Sequence, residues 1–420
     1  MRWPFFALVF VVEVVAGLEK LIFVQTYFRH GDRTPVQPIR SSSFNAAFYG
    51  NQLGELTPIG MKEGILLGRR MKKRYVTSGL LLNESFLNMK EIYMRSTDIN
   101  RTLETATAFV AGMFDYGKKG KDFPDVPDWK PNWTPVPVHT SAMITDFEGN
   151  PFPLCPRAAE LDSLQVQSET FKNLIRDHQE FCDRLRNLAG EKVSIKEGVS
   201  VYGLLDALLL LKKHGHPLPT WANATVLGRL STISSEQLML KFGEIGGQGS
   251  NLIRLRGGNK IKMLLSRLQE KWNCFARRND SRNCQWYSRL RFYGFATHDM
   301  TLWGMLTPFG IVEKVFGKHH EIDHAASLTF ELWNVDGRPM INFVFLKNPN
   351  LSEEFQSITH LIEGCPPQGN NFCPFENVLA AVKNHFPNDI AEECKARNIG
   401  RSKRSSDLPK LEAFFDGRVW

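Results

Sequence analysis

The stretch Arg29–Pro35 reads Arg-His-Gly-Asp-Arg-Thr-Pro and places one imidazole between two guanidinium groups. A neutral imidazole nitrogen can attack phosphorus, and Arg29 and Arg33 carry planar, permanently charged groups that match phosphate oxygens. Gly31 permits a sharp turn and a close approach of the backbone. A solvated basic turn is the plain alternative, and it is opposed by the motifs that follow downstream. The stretch therefore predicts a phosphate site with His30 as nucleophile.

Three short apolar runs, rich in β-branched and aromatic residues, are typical of buried strands. They cover residues 21–28, 91–94 and 291–296. Each is followed by groups that could do chemistry: His30 after the first, Arg95 after the second, and His298 with Asp299 after the third. Ligands bind at the carboxyl ends of strands in open α/β sheets, so neighbouring strands would bring these groups into one pocket.

Each of these residues also has a structural interpretation. Asp299 could cap a helix that begins at Met300, and Asp98 could cap the helix predicted over residues 98–114. Arg95 could be an arginine at a surface strand end. His30 could bind a metal, but the sequence has no regular His, Cys or Asp ligand spacing, so we expect no metal and no cofactor.

These segments resemble the signature of the histidine acid phosphatases, a branch of the phosphoglycerate-mutase-like superfamily that includes prostatic and lysosomal acid phosphatases and phytases. The similarity runs in order from about residue 20 to residue 395. The segments that carry it are Arg29–Pro35, Gly54–Met61, Tyr93–Thr102, Leu255–Gly258 and Thr297–Thr301. The resemblance implies that His30 becomes a phosphohistidine, that Asp299 protonates the leaving oxygen, and that Arg29, Arg33, Arg95 and His298 bind the phosphate.

Strands near both ends of the chain bracket a mostly helical middle, which favours an α/β sheet domain with an inserted helical domain. The family fold has the same organisation: a Rossmann-like, mostly parallel sheet with helices on both faces, plus the insertion. We predict four parts of the chain. A signal peptide covers residues 1–17, and the catalytic domain is formed by residues 18–115 together with residues 285–395. The inserted loop and helical domain covers residues 116–284, and a C-terminal tail covers residues 396–420.

The apolar run after Arg2 is typical of a secretory signal peptide that is cleaved near Gly17. It is shorter than the roughly 20 residues that a membrane span needs, so we expect no membrane anchor. Glycosylation sequons then become relevant. The expected acceptors are Asn83, Asn132, Asn223, Asn279 and Asn350. Asn100 also stands in a sequon, but we expect it to be packed beside the active site and unmodified.

Seven cysteines in a secreted chain predict disulfides with one thiol left over. The resemblance implies that Cys155 pairs with Cys394 and that Cys365 pairs with Cys373. Cys274 and Cys284 are close enough in sequence for a local bridge. Cys182 then remains as a buried thiol.

The formal net charge of +8 is compatible with a field that attracts anionic substrates. No nucleic-acid fold signature accompanies the basic residues, so nucleic-acid binding is not expected. The histidines of His214-Gly215-His216 and His319-His320 are expected in surface or loop positions. Relatives are often homodimers, which makes a homodimer possible here.

The leading functional hypothesis is a secreted or lysosomal acid phosphatase that acts on phosphomonoesters. A phytase or other inositol-phosphate phosphatase is the alternative within the superfamily. A phosphomutase would have to protect its phosphohistidine from water and is disfavoured by the signal peptide. A non-catalytic binding protein on the same fold is disfavoured by the presence of both His30 and Asp299.

Overall fold

The computed structural model is organised around one eight-stranded sheet. The structure describes residues 19–39, 42–82, 90–115, 117–130, 133–190, 193–197, 200–277, 282–319 and 322–397. The strands are β1 Glu19–Arg29, β2 Ile92–Ser96, β3 Val138–His139, β4 Phe292–Thr297, β5 Ser327–Val335, β6 Arg338–Leu346, β7 Gln356–Ser357 and β8 Cys373–Pro374.

The strand order is β3-β2-β4-β1-β5-β6-β7, with β8 beside β6. Strands β3, β2, β4 and β1 run parallel, and the sheet continues antiparallel from β5 onward. The predicted α/β class with a parallel centre is confirmed. In the register of β1 and β4, Arg29 lies beside Thr297, so the residues that follow both strands emerge at the same edge.

The helices of the described residues cover both faces of the sheet. They are α1 Pro58–Lys72, α2 Asn100–Met113, α3 Pro156–Gln165, α4 Glu169–Ala189, α5 Ser200–Lys213, α6 Ala224–Phe242, α7 Gly249–Ile253, α8 Asn259–Arg277, α9 Arg282–Tyr287, α10 Asp299–Leu306, α11 Val312–Phe316, α12 Phe375–Val382 and α13 Ile390–Glu393. Helices α1 and α2 pack against one face through Leu67 and Phe109, whereas α8 and α10 pack against the other through Leu264 and Trp303.

Helices α4, α5 and α6 share a further hydrophobic cluster that includes Phe181, Leu208 and Leu230. The chain turns between α3 and α4 and does not continue as one helix. Ser168 begins α4 as its N-cap by accepting a hydrogen bond from the backbone NH of Phe171, which explains the break. The division into a catalytic and an inserted domain stays a prediction.

Strands β5 and β6 form an antiparallel hairpin. Its turn is Asp336-Gly337, and both residues have a positive φ, 50° and 79°. A two-residue turn of that kind matches the twist of the flanking strands, and Gly337 adopts the conformation without a Cβ penalty.

The structure contains the three disulfides assigned in the sequence analysis: Cys155–Cys394, Cys274–Cys284 and Cys365–Cys373. Cys182 is a buried free thiol. Burial raises the pKa of this thiol, so the inert thiol form is favoured.

Two of the sequon asparagines that were expected to carry glycans, Asn223 and Asn350, are exposed. Asn100 is also exposed, at the start of α2, so the expectation that it is packed away is wrong. The signal peptide over residues 1–17, Asn83, Asn132, Asn279, His320 and the tail beyond residue 397 lie outside the described residues.

Candidate active site

His30 and His298 meet at the carboxyl ends of β1 and β4. The backbone NH of His30 donates to the carbonyl oxygen of Thr297 at 2.9 Å, and the two imidazole centroids are 5.7 Å apart. Both residues are buried. The strand pairing therefore brings together two groups that the sequence separates by more than two hundred residues.

One hydrogen bond determines which nitrogen of His30 can act as a nucleophile. Nδ1 lies 2.8 Å from the carbonyl oxygen of Gly31, which can only accept, so Nδ1 carries the hydrogen and Nε2 keeps its lone pair. Burial lowers the pKa of His30 well below its ordinary value, and the charges of Arg101 and Arg29 lower it further. The imidazole consequently stays neutral and nucleophilic under acidic conditions.

Gly31 allows the loop after β1 to pass directly over the start of α1. A Cβ at this position would lie 2.3 Å from the carbonyl oxygen of Gly60. The backbone NH of Gly31 donates to Thr105 Oγ1 at 3.1 Å, which ties the same loop to α2. The loop that carries His30 is thus fixed by two helices.

Arg29 and Asp299 form an ion pair, with Nη2 and Oδ2 2.9 Å apart. The hydroxyl of Tyr202 donates to the same carboxylate oxygen at 3.1 Å. Burial favours the neutral carboxyl, but the Arg29 and Arg33 guanidinium groups outweigh burial and lower the pKa of Asp299. Asp299 is therefore a carboxylate until a second negative charge enters the site.

Asp299 does not cap α10. It is the first helical residue, and the N-cap is His298, whose side chain makes no capping bond. Asp299 Oδ1 accepts from the backbone NH of the adjacent Met300 at 2.7 Å. The geometry leaves Oδ2 directed toward Arg29 and the cavity.

Arg33 is held by Asp206 of α5 through a two-point ion pair, with N–O distances of 2.8 and 3.1 Å. A bidentate pair fixes the plane of the guanidinium group. The Asp206 carboxylate raises the pKa of Arg33 and keeps it charged despite burial. Asp206 could not be predicted from the sequence, because 173 residues separate it from Arg33 and leave no local pattern.

Arg101, on the first turn of α2, is the arginine of this site that sequence analysis missed. It is 4% exposed, and it makes no ion pair with any residue in the described parts of the chain. Burial lowers its pKa to about 9, and the neighbouring Arg33 contributes to that shift. A buried cation without a carboxylate partner is unfavourable, and a bound anion would stabilise it.

Arg95 does not join this site, which corrects the role expected for it. Its guanidinium contacts Glu148 Oε2 at 3.1 Å and Asp146 Oδ1 at 3.5 Å, and it stacks on the ring of Phe295. Successive side chains of a strand point to opposite faces, so Met94 packs against α1 and α2 while Arg95 points to the other face. Two carboxylates already neutralise its charge.

Three guanidinium groups nevertheless surround His30. Within the described residues, the buried Nε atoms of Arg29, Arg33 and Arg101 have no hydrogen-bond partner. His298 Nε2 lies 3.0 Å from the hydroxyl of Thr97, which orients the second imidazole. Unpaired buried donors that converge on one nucleophile are suited to bind a phosphoryl group and its developing charge.

The Asp32 carboxylate anchors the outer side of the site. It accepts from Thr57 Oγ1 at 2.6 Å and from His214 Nε2 at 2.7 Å, and it forms an ion pair with Lys213, whose Nζ lies 3.2 Å from Oδ1. Burial would raise the pKa of Asp32, but its bonds to His214 and Thr57 lower it. His214 stands in the turn after α5, a loop position as expected, and it also takes part in this cluster; His319 is exposed as expected.

A cavity of about 390 Å³ opens beside Arg29 and Asp299. Its lining includes the apolar side chains of Leu209, Leu238 and Trp303. Among the described residues no group of three or more His, Cys, Asp or Glu side chains could hold a metal ion. The cavity has room for a leaving group next to Arg29 and Asp299.

Arg101→Ala is expected to reduce kcat/KM by the equivalent of roughly 2–4 kcal/mol, the scale of losing a preorganised donor to transition-state charge. It should also raise the pKa of His30 toward 6.5, because one of the charges that lower it is removed. The acidic limb of the rate profile should therefore move to higher pH. Arg95→Ala is the matched control, and we expect it to lower thermal stability while leaving kcat/KM within a few-fold. Equal losses in both variants would contradict this assignment.

A neutral buried imidazole beside three guanidinium groups and a carboxylate, at the carboxyl ends of parallel strands, is typical of enzymes that transfer phosphoryl groups through histidine. The family model of the histidine phosphatase superfamily (branch 2) matches residues 20–346. The chain belongs to this family.

Curated relatives agree over nearly the whole chain. The lysosomal acid phosphatase of Xenopus laevis is 28% identical over 397 residues, which cover 93% of this chain and 83% of that protein. The prostatic acid phosphatase of Homo sapiens is 28% identical over 413 residues, 96% of this chain and 95% of that protein. The phytase of Klebsiella sp. ASR1 superposes with a TM-score of 0.61 at 18% identity, covering 92% of this chain and all of that one, and this likeness supports the fold.

Proposed function

We propose that this protein is an acid phosphatase that hydrolyses phosphomonoesters through a phosphohistidine on His30. The observation that carries the proposal is the set of buried, unpartnered guanidinium nitrogens of Arg29, Arg33 and Arg101 around a neutral imidazole whose Nε2 is free to attack. Membership of the histidine phosphatase superfamily and the names of the relatives support the same activity.

In the first half-reaction, His30 Nε2 attacks phosphorus and forms the N–P bond while the ester P–O bond breaks. The Asp299 carboxylic acid gives its proton to the leaving oxygen, so the alcohol departs neutral. In the second half-reaction, water attacks phosphorus, Asp299 takes a proton from that water, and the N–P bond breaks to release phosphate and His30.

The proton that Asp299 needs can arrive with the substrate. The free carboxyl has a lowered pKa and is ionised, but a phosphomonoester monoanion carries a proton with a pKa of about 6. When the monoanion binds, the proton can pass to Asp299, because the phosphate's own charge raises the pKa of the nearby carboxyl. His298, whose pKa burial and Arg101 hold low, stays neutral beside the reaction.

The pH dependence follows from these two groups. kcat/KM is expected to fall above about pH 6 as the substrate loses its proton. On the acidic side kcat/KM should stay high until His30 becomes protonated, and this happens at a lower pH than for an ordinary histidine because the pKa of His30 is lowered. The measurement is kcat/KM for nitrophenyl phosphate from pH 3 to 8. An optimum above pH 7 would contradict the scheme.

One experiment separates the activities that this site could support. Purified protein is incubated with nitrophenyl phosphate, glycerol phosphate and phytate, with and without an added acceptor alcohol. Hydrolysis of the simple esters with little phytate turnover is expected. Preferential turnover of phytate would favour an inositol-phosphate phosphatase. Transfer of phosphate to the alcohol without hydrolysis would indicate a phosphomutase, and the absence of any turnover would indicate a binding protein.

We further propose that the protein acts in an oxidising compartment, outside the cell or in the lysosomal lumen, after removal of residues 1–17, and that it forms a homodimer. Three disulfides and the lysosomal and prostatic names of the relatives support the location. No helix among the described residues is long and apolar enough to cross a membrane. N-terminal sequencing of the secreted protein and sedimentation analysis test the two parts separately.

A further inference from the structure

Lys213, at the end of α5, hydrogen-bonds to Glu63 and His324 and forms an ion pair with Asp32. Its Nζ lies 3.2 Å from Asp32 Oδ1, 2.8 Å from Glu63 Oε1 and 2.9 Å from His324 Nδ1. An ammonium group can only donate, so Nδ1 of His324 must accept. A neutral imidazole that accepts at Nδ1 carries its hydrogen on Nε2. Lys213 therefore fixes the tautomer of His324.

The resulting Nε2–H of His324 has no protein partner. The atom is buried and has no hydrogen bond within the described residues, and the side chain as a whole is 11% exposed. The imidazole centroid lies 6.0 Å from that of His30, close to the 5.7 Å that separates His298 from His30. His324 also lines the cavity together with Arg29 and Asp299.

We propose that His324 is a further phosphate-binding residue, whose Nε2–H donates a hydrogen bond to an oxygen of the transferred phosphoryl group, and that Lys213 is the positioning residue that holds this tautomer. The inference rests on the proposed function, since it adds a contact to the same phosphate. A buried N–H without a hydrogen-bond partner is unfavourable in free energy, and a phosphate oxygen in the site would supply the partner that His324 Nε2–H lacks. Burial and the charges of Arg29 and Lys213 lower the pKa of His324, so the ring remains a neutral donor at acidic pH.

Binding of inorganic phosphate tests the contact, because this probe has no leaving group. The dissociation constant is measured by calorimetry at pH 5 for wild type, His324→Ala and His324→Gln. Loss of a hydrogen bond to a charged group predicts roughly tenfold weaker binding for His324→Ala. His324→Gln should recover most of it, because a glutamine amide N–H can take the place of Nε2–H.

An unchanged phosphate constant in His324→Ala, with a higher KM for esters alone, would overturn the proposal and assign His324 to the leaving group. Phosphate that binds wild type normally without any ester turnover would instead refute the proposed function and leave the His324 contact standing. Failure of wild type to bind phosphate at all would overturn both.

The role of Lys213 has a spectroscopic readout that does not depend on turnover. In ¹⁵N-histidine-labelled wild type, the His324 ring should show a protonated-type Nε2 and an unprotonated-type Nδ1, with the signal assigned by its disappearance in His324→Gln. Lys213→Met should change this pattern and weaken phosphate binding severalfold. Lys212→Met, an exposed neighbour on α5, should change neither.

A wild-type ring protonated on Nδ1 would overturn the positioning role whatever the variants do. The positioning role would also be overturned if Lys213→Met shows a normal thermal melt, retains the Nε2–H tautomer of His324 and binds phosphate as tightly as wild type. If Lys213→Met does not fold, the wild-type tautomer and the His324 pair still decide the proposal.

Discussion

His30→Ala is expected to abolish turnover, with a fall in kcat of roughly 10⁴-fold or more, the scale seen when a covalent nucleophile is removed. The variant should remain folded, because the loop around His30 is held by the Gly31–Thr105 bond and by its packing on Gly60. The measurements are steady-state kinetics with nitrophenyl phosphate and a thermal melt.

A chemical rescue distinguishes loss of the nucleophile from misfolding. The removed ring leaves a space beside the three guanidinium groups, and added imidazole can occupy it and attack in place of His30. Partial recovery of turnover with imidazole is the expected result. A folded His30→Ala protein that keeps more than a tenth of wild-type activity without imidazole would show that another group is the nucleophile.

Asp299→Asn is expected to slow alkyl phosphates far more than nitrophenyl phosphate in the phosphorylating step. An alkoxide needs a proton to leave, whereas nitrophenolate barely does, and general-acid catalysis contributes roughly 10²–10⁴-fold. Asparagine keeps the size and can still accept from Met300 NH, but it has no acidic proton to donate. Single-turnover rates with glycerol phosphate and nitrophenyl phosphate make the comparison before hydrolysis of the shared intermediate intervenes.

Asp323→Asn is the matched control, because Asp323 lines the same cavity but bonds to Asn348 rather than to Arg29. It should affect the two substrates alike. If Asp299→Asn also slowed both equally and lowered thermal stability, Asp299 would be a structural residue and the proton would have to come from elsewhere.

The strand ends could be predicted from the sequence because their signal is local. The apolar runs before His30 and His298 specify β1 and β4, and parallel pairing then places both imidazoles at one edge. Arg95 was misassigned because its strand was expected to end there. β2 in fact continues through Ser96, and the pleat directs Arg95 to the face that carries Glu148.

The role of Arg101 could have been predicted from the helical spacing of the same segment. Arg101 stands four residues before Thr105, so both lie on one face of α2, and that face meets the loop after β1. Helical spacing over residues 100–113 would have favoured Arg101 over Arg95. The partners on α5 had no such signal. Asp206 and Lys213 belong to a helix whose pattern indicates only burial, and their contacts with Arg33 and His324 exist only once distant parts of the chain pack together.

The proposed mechanism requires that phosphate becomes covalently attached to His30. Wild-type protein is mixed with ³²P-labelled phosphomonoester at pH 5, quenched with alkali within milliseconds, and digested for peptide mapping. We expect an alkali-stable, acid-labile label on the peptide that contains His30. The label should be absent from His30→Ala and should accumulate in Asp299→Asn with nitrophenyl phosphate. Label on a serine, aspartate or cysteine, or on a different histidine, would show that His30 is not the nucleophile.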